Sequence, residues 1–198
     1  MALYIFQYIW EMNSVPSVKS KIILGLDPGT QVMGYGVIEQ RGPKLLVLQM
    51  GVIHLEKEKD HFIKLKRIHE RVLQVIGEYL PDEVAIEAPF YAKNVQSMLK
   101  LGRAQGVAVA AALSRDVPVM EYLPKKVKQS VTGNGNASKE QVAAMLQKLL
   151  NFTETPSFLD ATDALAVAVC HHFQGKIPVS KSTSWKSFLS ENPGRVKG

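Results

Sequence analysis

Seven residues, KIILGLD at positions 21–27, constrain the fold of this chain more than any other stretch. A continuous apolar run that stops at an acid and meets Pro28-Gly29 predicts a buried strand delivering a carboxylate into a turn. The same pattern recurs at Glu83 to Glu87, EVAIE, after a Pro81-Asp82 break. Between the two lie Val32 to Gln40 and Leu45 to Leu55, which read as two further strands joined at Arg41-Gly42-Pro43. From Asp60 to Leu80 the spacing of Phe62, Leu65, Ile68, Val72, Leu73, Ile76 and Leu80 predicts a helix.

Downstream, Asn94 to Ser114 reads as a helix rich in alanine and glycine, and Val117 to Tyr122 as a fifth strand. A lysine-rich segment and the sequence TGNGNAS then lead to a helix over Ser138 to Leu150. Ser138 with Gln141 three residues later makes a capping-box pattern at its start. A last helix is predicted from Phe158 to Phe173. Three consecutive strands fit an antiparallel meander, whereas strand–helix–strand units imply parallel pairing. The expected fold is α/β and ribonuclease H-like, a mixed five-stranded sheet with helices on both faces.

The ends read differently from the middle. MALYIFQYIW is apolar but too short to span a membrane, for which about 20 residues are needed. It also lacks the charged start and cleavage site of a secretory signal. Residues 1–20 are therefore expected to be an N-terminal extension outside the core, with Met12 an alternative start. Residues 21–175 form the expected folded domain, and 176–198 a weakly structured tail rich in Ser, Lys and Pro. The single cysteine, Cys170, excludes an internal disulfide and any cysteine-rich zinc site, and points to a reducing cytoplasm. Net charge is +6. The stretch from Lys93 to Lys139 holds eight basic residues against two acids, Asp116 and Glu121, and so carries the whole excess. Such a stretch in an otherwise balanced chain suggests a polyanionic partner, nucleic acid first.

Four acids carry the chemistry. A carboxylate ending an apolar strand is costly unless paired, solvated or bound to a cation. Asp27 and Glu87 both stand in that position, and adjacent strands would bring them to one sheet edge. Asp160 and Asp163, three apart, share a helix face at the helix's positive end. Taken singly, Asp27 fits a turn residue, and the two helix acids fit ordinary first-turn positions. Glu87 has no basic residue within five positions to pair with it. Together the four form a plausible set of hard oxygen ligands for Mg²⁺ or Mn²⁺.

The stretches LGLDPGTQVMGYGVI (24–38), IEAPFYAKN (86–94), LKLGRAQGV (99–107) and DATDALAVAVCHH (160–172) resemble, in order, the four conserved blocks of the RuvC family. The resemblance runs from about Lys21 to Phe173. It implies a homodimeric, ribonuclease H-like endonuclease that resolves four-way (Holliday) DNA junctions in recombination and repair. It implies that Asp27, Glu87, Asp160 and Asp163 are both catalytic and metal-binding, and that two Mg²⁺ ions per site, replaceable by Mn²⁺, serve phosphodiester hydrolysis. The branch-migration proteins RuvA and RuvB follow as partners from the resemblance alone.

Three further residues are expected to touch DNA. Phe90, just beyond the Glu87 strand, matches a functional aromatic of the family and suits stacking on an unpaired base. Lys128 and Lys139 flank the TGNGNAS loop and match basic family positions near the scissile bond, where lysines neutralise phosphate. Lys100, Arg103, Lys125 and Lys126 fit a solvated face equally well. The helix from Asn94, with Gly102 and Gly106, corresponds to the family's dimer helix. His171 and His172 read as packing or surface residues. Two other readings compete. Asp27-Pro-Gly-Thr also matches the opening of the actin and sugar-kinase ATP-binding fold, which needs a second domain of similar size. A junction-binding scaffold without catalysis would not need all four acids.

Overall fold

The computed structural model describes residues 20–89, 94–152 and 159–175. Five strands, β1 (Ser20–Asp27), β2 (Val32–Arg41), β3 (Lys44–His54), β4 (Glu83–Glu87) and β5 (Val119–Tyr122), form one sheet in the order β3-β2-β1-β4-β5. β1, β2 and β3 pair antiparallel, while β4 pairs parallel with both β1 and β5. This is the mixed sheet that the order of elements predicts.

Alternation along the strands sorts the core into two layers. Leu24, Leu26, Val84 and Ile86 face one side. They pack there against Ile68, Val72 and Ile76 of α1 (His61–Tyr79) and Ala104, Ala108 and Ala111 of α2 (Val95–Leu113). Ile23 and Ala85 face the other side, beneath α3 (Pro124–Thr132), α4 (Lys139–Leu150) and α5 (Leu159–Gln174). Helices on both faces, as expected, complete the α/β sandwich.

Two details differ from the sequence reading. Residues 124–132, read only as a lysine-rich segment with no element assigned, form α3. Only Val127 and Val131 point inward, so a nine-residue helix carrying three lysines has little apolar periodicity to reveal it. Its punctuation was present: Pro124 opens it, and Gly133 closes it with φ of 76°. β5 begins at Val119 rather than Val117. Pro118 has no N–H for a ladder, although its carbonyl accepts from Val84 N at 2.9 Å. Elsewhere the boundaries agree to within one or two residues, including the Ser138–Gln141 capping box. No described helix is long and apolar enough to cross a membrane.

Candidate metal centre

Strand pairing brings the first two acids side by side. Leu26 of β1 is the register partner of Ile86 in β4, so the next residues along, Asp27 and Glu87, end neighbouring parallel strands. Counting by twos from Ile23 and Ala85, which pack under α5, puts both carboxylates on the α5 face of the sheet.

Three glycines determine how α5 meets that face. A β-carbon on Gly25 would sit 2.1 Å from the Ala164 carbonyl oxygen, and one on Gly34 would sit 1.9 Å from that of Asp160. One on Gly36 would fall 2.9 Å from the Leu165 Cα. Gly25 pairs with Gly36 in the sheet, and Gly34 pairs with Asp27 itself. The helix backbone therefore rests on strand backbone, with no side chain between them. Nearly every α5 residue from Ala161 to His172 is buried, so the helix is clamped from all sides. At the far end, His171 Nε2 meets the Glu83 carboxylate, which also pairs with Lys21 at 2.6 Å. The Tyr122 hydroxyl lies 2.7 Å from His171 Nδ1. The expectation that His171 is a packing residue is met in a specific form: it ties the end of α5 to β1, β4 and β5.

So held, α5 presents Asp160 and Asp163 to Asp27. One carboxylate oxygen from each of the three lies within 4.8 Å of the other two. Glu87 is not in this trio, yet its charge acts on Asp27, and that of Asp163 acts on it. Burial, then repulsion from Glu87 and Asp163, pushes the Asp27 carboxyl well above the usual carboxylate range. Glu87 is pushed up to about 7 by burial and by Asp163, against the pull of Lys139 and Lys128. Asp163 is raised mainly by burial, with the Lys139 hydrogen bond opposing. Desolvated like charges that raise one another's pKa characterise a site made to receive positive charge. The donors are all carboxylate oxygens, which suits a hard divalent cation and not a soft one.

Lys139 supplies positive charge from the protein itself. It is the first residue of α4, placed by the Ser138 cap, and its Nζ pairs with Asp163 Oδ2 and lies 3.2 Å from Asp160 Oδ1. Burial works to lower its pKa, but the bond and charge of Asp163, then Asp160, prevail and raise it above the ordinary lysine value. Lys128, half-buried, donates to the Ala137 carbonyl at 2.8 Å and so braces the loop between α3 and α4. Phe90 lies outside the described residues. Sequence reasoning placed the four acids and both lysines in this region. It did not foresee the ion pair of Lys139 or the glycine bed, whose only sequence trace is the spacing of Gly25, Gly34 and Gly36.

Comparison with known proteins gives a consistent result. The family model described as crossover junction endodeoxyribonuclease RuvC matches residues 23–171. The crossover junction endodeoxyribonuclease RuvC of Cytophaga hutchinsonii is 64% identical over 183 residues, covering 92% of this chain and 91% of that protein. Its counterpart in Bacteroides fragilis is 59% identical over 187 residues, covering 92% and 100%. Among solved structures, Thermus thermophilus RuvC in complex with a Holliday junction substrate is similar with a TM-score of 0.73 and 35% identity. That alignment covers 78% of this chain and 94% of the other.

Proposed function

The chain belongs to the RuvC family of crossover junction endodeoxyribonucleases, and from that premise we propose that it resolves four-way DNA junctions by paired, symmetric nicks. The observation that carries the chemistry is the convergence of Asp27, Asp160 and Asp163 within 4.8 Å, with Glu87 on the adjoining strand. In this reading all four acids are catalytic and hold two Mg²⁺ ions, or Mn²⁺ in their place. When bound, the ions supply the charge that activates a water and stabilises the leaving oxygen in an in-line displacement.

The chain's own residues do the rest. Asp27 and Glu87, whose pKa values are raised by burial first, release their protons as the ions load. Lys139 and Lys128 face the DNA backbone beside that phosphate. Phe90 stacks on an unpaired base where strands exchange. Residues 1–20 and 176–198 are an extension and a tail to the nuclease domain, and the enzyme works in the cytoplasm.

Two nicks related by symmetry call for two copies of the site, and we propose a homodimer through α2. Its stripe of Val95, Leu99 and Leu113 is exposed, and a β-carbon on Gly102 or Gly106 would meet no atom within 4 Å among the described residues. RuvA and RuvB are proposed partners on family resemblance. A synthetic four-way junction tests the reading. Symmetric nicks that require Mg²⁺ and disappear with a chelator are expected. Junction binding without nicking in either Mg²⁺ or Mn²⁺ would instead favour a scaffold.

A further inference from the structure

Three carboxylates converge on one spot, and a lysine already bonds two of them. Lys139 Nζ contacts two members of the trio, Asp160 and Asp163, which are the groups a divalent ion would need. A carboxylate bonded to an ammonium has to release it before offering the same lone pairs to a metal.

Lys139 is also built to leave. It starts α4, where the positive end of the helix dipole disfavours an ammonium, so the acids alone hold it in place. Its side chain is 48% exposed while that of Asp163 is 16% exposed, so the cation reaches inward from an open rim to a half-buried anion. Four flexible methylenes let the head swing while the backbone stays fixed by the capping box. Lys128, by contrast, is committed to the Ala137 carbonyl.

We infer that Lys139 is the site's resident counter-cation: it occupies the metal position while the protein is unloaded, and is displaced by the divalent ion toward the bound phosphate. This rests on the reading that the acids hold a divalent ion. Lysine and metal then compete for shared carboxylates, so metal affinity is reduced by the fraction of molecules in which the lysine is docked. The same competition delivers a freed positive charge only once the site is loaded, which couples metal binding to phosphate contact.

The test is calorimetric titration of Mn²⁺ alone into the full chain without DNA, comparing wild type with Lys139→Met, Lys139→Gln and Lys128→Met. Both Lys139 variants are expected to bind Mn²⁺ about tenfold more tightly than wild type. Lys128→Met removes the same charge nearby without vacating the carboxylates, and should change affinity by less than about threefold. The rise in thermal midpoint on adding Mn²⁺ should follow the same order, and serves as a second measure for any variant that folds poorly. Unchanged or weaker Mn²⁺ binding in the Lys139 variants would overturn the inference. Equal tightening by Lys128→Met would overturn it too, since a general field would then suffice. If no variant binds Mn²⁺ at all, the metal reading falls with it, whereas junction cleavage by wild type with binding insensitive to Lys139 removes this inference only.

Discussion

At the scale of single residues, the acids work against the stability of the fold they occupy. Asp27 is half-buried, and desolvation and then repulsion from Glu87 and Asp163 act on it before any positive charge helps it. Replacing it with the neutral isostere should therefore stabilise the metal-free protein at pH 8, by about 1–2 kcal/mol, while abolishing cleavage. Urea unfolding and junction cleavage of Asp27→Asn measure the two effects together. Glu87→Gln should likewise lose cleavage by more than about a thousandfold and keep junction binding, read by gel shift. Full activity in either variant would remove the residue from the site.

The pH dependence follows from the same groups. Glu87 rises from its ordinary 4.5 to about 7, so the folded chain holds a proton there that the unfolded chain has released. Its contribution is present in full below about 4.5 and is lost as pH rises through about 7. Asp27 and Asp163 are shifted in the same direction. Metal-free protein should thus become less stable between pH 5 and 8, and saturating Mg²⁺ should flatten that slope. Urea midpoints at four pH values, with and without Mg²⁺, would show it. A flat profile would mean that the acids are solvated, and a slope of opposite sign that they are stably paired in the folded chain.

At the scale of elements, the site is a contact between one helix and two strands. The acids themselves were legible, because a charge ending an apolar run is conspicuous in EVAIE and KIILGLD. That the two strands lie adjacent stayed a condition, because the order of elements implies parallel pairing without naming the partners; the β1–β4 register meets it. The spacing between helix and sheet was not legible, since a glycine in a strand gives no sign of what packs against it. Helix α3 was missed for a related reason: its inward face amounts to Val127 and Val131. Gly34→Ala tests the close contact. Its methyl would press on the Asp160 carbonyl, so we expect a loss of about 2–3 kcal/mol and a cleavage defect that persists in the folded fraction. Gly77→Ala in α1 meets nothing within 4 Å and should stabilise by about 1 kcal/mol with cleavage intact. Circular dichroism melts and cleavage rates compare the pair. Equal behaviour would show that the helix is not seated on backbone.

At the scale of the whole molecule, the sheet keeps its two faces for different purposes. One carries α5 and the acids, and the other carries α1 and α2, so a dimer joined through α2 leaves both sites unobstructed by its own interface. The order of elements was enough to predict two covered faces, because strand–helix–strand units imply helices packed against the sheet. The proposed use of α2's outer stripe as a dimer surface is not implied in that way, and it rests on the family resemblance and on exposed Val95, Leu99 and Leu113. Gly106→Leu separates the roles. The described protomer has open space there, so the fold should survive, while sedimentation velocity should show the dimer giving way to monomer. A dimer unaffected by that bulk would place the interface elsewhere.

The glycine bed has one more effect, on how the enzyme fails. Where side chains separate two elements, rotamer changes can absorb strain and let a gap widen by degrees. Beneath α5 the spacers are main-chain atoms, which have no such freedom. Heating should therefore leave the rate of a folded molecule unimpaired until α5 lifts from the sheet, at which point both aspartates depart together and activity ends in a single step.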